Sequence, residues 1–142
     1  MSIIDDKNKV KNYLAIDYGK SKVGLALGDN EVSIAFAYKT LDNDEKLVDN
    51  LRKIIQEREV NQIILGKLGM PGGQKESFDA QEIGAEMEKE LGVEVRYQEE
   101  MFSTKMAQDS LKKRGAKKIK KLDNQEAARI ILQSWLDKKY KI

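Results

Sequence analysis

An acid closes a short apolar run at Leu14-Ala15-Ile16-Asp17, and two more, Glu99 and Glu100, follow a second run at Val93-Glu94-Val95-Arg96-Tyr97. A further oxygen-bearing pair, Asp123-Asn124, opens the last apolar periodic segment of the chain. The chain has 142 residues and contains neither histidine nor cysteine. Their absence excludes an imidazole or thiolate zinc site, a Ser-His-Asp triad, a cysteine nucleophile and a histidine general base. If the chain is a hydrolase, carboxylates must do the work, and carboxylates recruit hard, oxygen-seeking cations such as Mg²⁺ or Mn²⁺.

The acids matter only if the fold brings them together. Residues 13–17 and 22–28 read as two strands joined by a tight turn, and 34–39 as a third. The period then changes: Asp42-Asn43-Asp44-Glu45 has the form of a capping box, and Leu47, Val48, Leu51, Ile54 and Ile55 follow at helical spacing, predicting a helix over 44–58. Ile63-Ile64-Leu65-Gly66 suits a buried strand, and Gly69, Pro71, Gly72 and Gly73 break the chain after it. A helix is expected over 78–91, with Ile83, Met87 and Leu91 in one row and Gly92 as the left-handed residue past its end. The alternation of 93–97 predicts a half-exposed strand. Helices from Ser103 to Arg114 and over 124–139 complete the order, the last burying Ala127, Ala128, Ile131, Leu132 and Trp135.

The order β-β-β-α-β-α-β-α-α predicts a meander followed by crossover units, that is, an α/β fold with a mixed five-stranded sheet flanked by helices. Its single site is expected at the carboxyl ends of the parallel strands. There Asp17 and the Glu99-Glu100 pair emerge at one edge if the first and last strands are both central and parallel. Asp123-Asn124 could bring a third oxygen ligand. Two metals about 4 Å apart can activate a water and stabilise a leaving oxygen without histidine, so such a cluster suits phosphodiester hydrolysis. Gly19, lacking a side chain, would let a phosphate approach Asp17 closely, with Lys20 and Lys22 beside that approach. Asp123 also has a structural role, as an N-cap with Glu126 at N3 in a capping box worth about 1 kcal/mol. Asn124, in the first turn, ranks ahead of it as a site residue.

The net charge is only +2, but residues 105–121 hold eight basic side chains and one acid, a local +7 that leaves −5 for the rest. The block Lys112, Lys113, Arg114, Lys117, Lys118, Lys120 and Lys121 is of the kind that attracts phosphate backbones, or else forms a solvated loop. A composition of 40% hydrophobic and 35% charged residues describes a folded chain with a heavily charged exterior. Apolar runs reach only about five residues, too short for a membrane span, and the first twelve residues are too polar for a signal peptide. A flexible segment over 1–12 followed by one domain over 13–142 is expected, in the cytoplasm. The run from Gly66 to Lys75 is not a Walker A loop, because Gly73-Gln74-Lys75 lacks the Gly-Lys-Ser/Thr arrangement.

Taken in order, "AIDYGKSKVGLALGD", "IILGKLGMPGG", "EEMFST" and "NQEAARIILQSWLD" resemble the motifs of the YqgF, or RuvX, family over about residues 13–137. The resemblance implies a ribonuclease-H-like fold and a metal-dependent nuclease. It further implies maturation of the 5′ end of pre-16S ribosomal RNA, with Holliday-junction resolution as an older suggestion. It places the family's first-strand Asp on Asp17 and its acidic pair on Glu99 and Glu100, with the metal role on Glu100. The family's last-helix Asp aligns with Asn124 rather than Asp123. Three departures accompany the match. Asn124 offers a carbonyl oxygen without a charge, which should lower metal affinity. Met101 stands where an arginine is usual, and Gly66-Lys67-Leu68 where Gly-Leu-Pro is usual.

The expected partner is nucleic acid, structured RNA ahead of branched DNA, bound by a monomer or homodimer away from membranes. Two other readings remain at this point: a nucleic-acid-binding member that has lost catalysis through Asn124, and an actin-like nucleotide-binding fold built on the Asp17-x-Gly19 turn. The second requires two related lobes, and the chain has room for one.

Overall fold

Tyr13, Leu14, Ala15 and Ile16 are all fully buried, as are Ile63, Ile64 and Leu65, because each run forms an inner strand covered on both faces. The computed structural model describes residues 10–67, 79–99 and 123–140. The elements are β1 (Asn12–Tyr18), β2 (Lys22–Asp29), β3 (Phe36–Asp42), α1 (Leu47–Glu57), β4 (Gln62–Lys67), α2 (Ala80–Leu91), β5 (Glu94–Glu99) and α3 (Asn124–Lys139). They build one five-stranded sheet in the order β3-β2-β1-β4-β5. Pairing is antiparallel for β1–β2 and β2–β3, and parallel for β1–β4 and β4–β5. The expected mixed α/β architecture is therefore present. β5 lies at the sheet edge rather than centrally, yet it runs parallel to β1, so both strands end at the same edge.

The pleat sorts the core into two layers. Leu14 and Ile16 of β1, Val23 and Leu25 of β2, Ile63 and Leu65 of β4, and Val95 of β5 face α1 and α2, meeting Leu47, Leu51, Ile54, Ala80 and Met87. Each such side chain taken fully out of water contributes about 1.5–3 kcal/mol. Tyr13, Ala15, Ala26 and Ile64 face the other way, against Ala128, Ile131, Leu132 and Leu136 of α3, with Trp135 partly buried alongside. On this second face the strands present mainly small residues, including Gly24 and Gly28 of β2, so α3 lies close to the sheet.

Several expected boundaries move. β3 begins at Phe36 and runs on to Asp42, because Lys22–Asp42 and Val23–Leu41 pair in register and extend the strand past 39. Asp42 is thereby taken from the expected capping box. α1 starts at Leu47, with Lys46 at the N-cap and no side-chain cap. Asp44 instead makes the turn before it, accepting from the Lys46 N–H at 3.0 Å. α2 begins at Ala80 and is capped by Asp79, whose carboxylate accepts from the N–H groups of Gln81 and Glu82. Gly92 ends it in the left-handed region at φ 71°, as expected. Asn12 already belongs to β1, and the Lys11 N–H donates to Asn30 Oδ1 at 2.8 Å, so the sheet begins inside the segment expected to be flexible. The expected helix from Ser103 to Arg114 and the glycine-rich break at 69–73 lie outside the described residues. Among the described residues no helix is long and apolar enough to cross a membrane.

Candidate active site

β1 alternates strictly, so Asp17 shares the α3 face with Tyr13 and Ala15, at the carboxyl end of the strand. Its antiparallel partner is Gly24, and Gly24 in turn pairs with Thr40. On the other side the β1–β4 ladder ends at Ile16–Leu65, which leaves Gly66 one step further on, and Gly66 pairs with Gln98. The row Thr40, Gly24, Asp17, Gly66, Gln98 thus crosses the sheet with glycine on both sides of the carboxylate. Neighbouring strands are about 4.8 Å apart, so neither flanking strand places a side chain beside Asp17 in this row. Asp17 is half-buried and has no hydrogen-bond or ion-pair partner among the described residues.

The amino end of α3 stands over this row. A Cβ placed on Gly24 would lie 2.0 Å from the carbonyl oxygen of Asn124 and 2.8 Å from its Cβ, so Asn124 sits directly on the register partner of Asp17. Asp123 is the N-cap, as expected, and its Oδ1 accepts from the Gln125 N–H at 3.3 Å. The expected return half of the capping box is absent: Glu126 turns instead to Arg129, accepting from Nε at 2.8 Å, and that bond raises the guanidinium pKa above its usual value. Gln125 Oε1 accepts from Thr40 Oγ1 at 3.1 Å. Further along, Gln133 accepts from the Ala35 N–H at 2.9 Å and donates to the Ser33 carbonyl at 3.1 Å. At the far end the hydroxyls of Tyr140 and Tyr13 are hydrogen-bonded, and burial together with that bond raises the Tyr13 phenol pKa well beyond its usual range. The helix is tied to the sheet along its length, with its positive end toward Asp17.

The turn after Asp17 explains Gly19 without any ligand. A Cβ there would come within 2.6 Å of the Lys22 carbonyl oxygen, so the reversal itself demands glycine. Asn43 holds this turn from β3's end, donating from Nδ2 to the Gly19 carbonyl at 2.7 Å and from its N–H to the Ser21 carbonyl at 2.9 Å. The sequence reading assigned Asn43 to a helix start and missed this role, because the partners lie more than twenty residues away. Asn43→Ala is expected to cost about 1 kcal/mol, the usual net value of such a bond, and to lower the melting temperature by a few degrees in a thermal melt. Lys22 is paired with Asp42 across the β2–β3 ladder, both side chains being largely solvent-exposed. Lys20 is exposed and has no partner among the described residues.

The acidic pair divides. Glu99 is the last residue of β5 and is exposed, on the α1–α2 face with Val95 and Tyr97, opposite to Asp17. Gln98 takes the α3 face and is buried. Glu100, Lys112, Lys113, Arg114, Lys117, Lys118, Lys120 and Lys121 lie outside the described residues. Among the described residues no three acids gather as a metal cluster. Asn124 is seated on the register partner of Asp17, and both residues carry hard oxygen donors.

Asp17, with no partner among the described residues, thus stands at the carboxyl end of the central strand of a mixed sheet overlain by a helix amino terminus. The fold is similar to that of Thermus thermophilus RuvC solved with a Holliday junction substrate, at a TM-score of 0.58 and 13% identity, covering 92% of this chain and 96% of that one. Fowlpox virus resolvase, solved with Holliday junction DNA, also superposes at 0.58, with 14% identity over 92% of this chain and 99% of that one. The chain belongs to the family described as RuvX: Holliday junction resolvase, whose model matches residues 11–138. Among its relatives is a Maridesulfovibrio salexigens protein named "Putative pre-16S rRNA nuclease", 32% identical over 87% of this chain and 96% of that one. A Colwellia psychrerythraea protein of the same name is 29% identical over 92% of each chain.

Proposed function

We propose that this protein is a divalent-metal-dependent endonuclease that hydrolyses phosphodiester bonds in structured RNA, in the 5′-end processing of pre-16S ribosomal RNA. The observation that carries this reading is the seating of Asn124 on Gly24, the register partner of Asp17, which has glycine on either side and no partner among the described residues. Family membership supports the reaction class, and the names of the relatives support the substrate. A cytoplasmic location fits such a substrate.

Asp17 and the amide oxygen of Asn124 would hold the cation together with Glu100. These all-oxygen donors suit Mg²⁺ or Mn²⁺ and not thiolate-seeking metals. A cation bound there supplies Lewis-acid stabilisation of charge developing on the phosphoryl group. The protein's own contribution is positional. Asp17 would fix one ligand on a rigid strand, and the missing side chain at Gly24 gives the amino end of α3 the room to seat Asn124 on Asp17's register partner. The amino end of α3 favours the anion. Asp123 serves as helix cap. Lys20 and the 112–121 block would hold the flanking backbone as a salt-sensitive grip, so affinity should fall by on the order of 10³-fold between 50 and 200 mM salt.

The test is a parallel cleavage assay on 5′-extended pre-16S RNA and a four-way DNA junction, with and without Mn²⁺. Cation-dependent cutting of the RNA is expected. Cutting confined to the junction would move the substrate to branched DNA. Salt-dependent binding without any cutting would make this a non-catalytic nucleic-acid-binding protein.

A further inference from the structure

We propose that Gly24 and Thr40 are positioning residues for the cation site, setting the height and lateral placement of Asn124 over Asp17. This rests on the metal reading above and adds the device that makes the geometry possible. The three atoms closest to a Cβ at position 24 all belong to Asn124: its carbonyl oxygen at 2.0 Å, its carbonyl carbon at 2.2 Å and its Cβ at 2.8 Å. Two are backbone, so no rotamer change relieves the contact. The end of α3 would have to withdraw from the sheet by about 1 Å or more to reach ordinary van der Waals separation. Functional constellations hold their geometry within about 0.5 Å, and a misplacement of about 1 Å can cost on the order of 10²-fold.

Height alone does not fix a helix end, which could still slide along the sheet. Thr40, the other register partner of Gly24, prevents that by donating from Oγ1 to Oε1 of Gln125, the residue next to Asn124. Gly28 provides an internal contrast on the same strand and the same face, beneath the same helix. A Cβ there would meet Leu132 Cδ2 and the Ile34 carbonyl oxygen at 3.1 Å and Leu136 Cδ1 at 3.4 Å. Two of those are side-chain tips that shift by a few tenths of an ångström. Gly28 therefore shapes the packing of the helix middle, whereas Gly24 shapes the site.

Mn²⁺ binding to the full chain, read by water proton relaxation with a thermal melt alongside, separates these roles. Gly24→Ala should weaken Mn²⁺ binding tenfold or more, while Gly28→Ala lowers the melting temperature and keeps the wild-type affinity. Thr40→Val, which keeps the side-chain shape but not the hydroxyl, should weaken binding several-fold, and Thr40→Ser should restore it. Equal affinity in Gly24→Ala and wild type, or equal weakening by the Gly24 and Gly28 variants, overturns the proposal. Should Gly24→Ala fail to fold, the Thr40 pair decides: unchanged Mn²⁺ affinity in Thr40→Val overturns it. Wild-type protein that binds no Mn²⁺ would remove the metal reading and this inference together, whereas wild-type binding that the variants leave intact removes the inference alone.

Discussion

Asp17→Asn is expected to abolish cleavage, lowering kcat/KM by on the order of 10³-fold or more, while leaving the fold intact. A bound cation is worth several kcal/mol of charge stabilisation in the transition state, and each 1.4 kcal/mol or so is tenfold in rate. The substitution keeps the shape of the side chain and removes only its charge. Among the described residues nothing in the fold pairs with that carboxylate, so no hydrogen bond or ion pair is lost with it. Relieving a half-buried, unpaired charge should leave the melting temperature unchanged or raise it slightly, as is common where a site trades stability for function. Cleavage kinetics and a thermal melt on the same preparation check both parts. A variant that still cuts at the wild-type rate would place the chemistry elsewhere in the molecule.

Asn124→Asp is expected to act in the opposite direction. The residue is the first of α3, seated over the partner of Asp17, and it brings an amide oxygen where an acid would bring a charge. The affinity of hard-cation sites follows the number of charged ligands, so the added carboxylate should tighten Mn²⁺ binding by on the order of tenfold or more. It should also raise the cleavage rate at low Mn²⁺ concentration. Stability without metal is a balance of two opposed terms. A negative charge in the first turn gains about 0.3–1 kcal/mol from the helix dipole, and repulsion from Asp17 offsets it. A metal-free melt close to wild type that rises steeply with Mn²⁺ would be the signature, since a ligand that binds only the folded state raises its stability with concentration. Unchanged Mn²⁺ affinity would mean that residue 124 does not reach the cation.

The fold was legible where local pattern and tertiary burial agree. The apolar runs of β1 and β4 are buried on both faces, and α3 occupies the 124–139 span because a cap at Asp123 precedes a clear apolar stripe. The capping box at 42–45 failed for a nonlocal reason: Asp42 extends β3 beside Lys22, an extension that no window of sequence contains. Of the candidate site, the positions of Asp17 at a strand end and Asn124 at a helix start follow from local sequence pattern. The seating of Asn124 beside β1 depends on Gly24, which in sequence reads only as a weak point in a strand, because the helix that needs the space arrives a hundred residues later. The separation of Glu99 from Asp17 was available from strand parity once the core faces were known, since Val95 and Leu14 share one face and Asp17 takes the other.

The central claim, that Asp17 and Asn124 close on one cation with Glu100, is tested most directly by anomalous scattering from crystals grown with Mn²⁺. The account predicts a single strong peak about 2.2 Å from an Asp17 carboxylate oxygen, with Asn124 and Glu100 oxygens completing its coordination. A peak bound elsewhere, or coordination at Asp17 that leaves Asn124 and Glu100 pointing away, would contradict it.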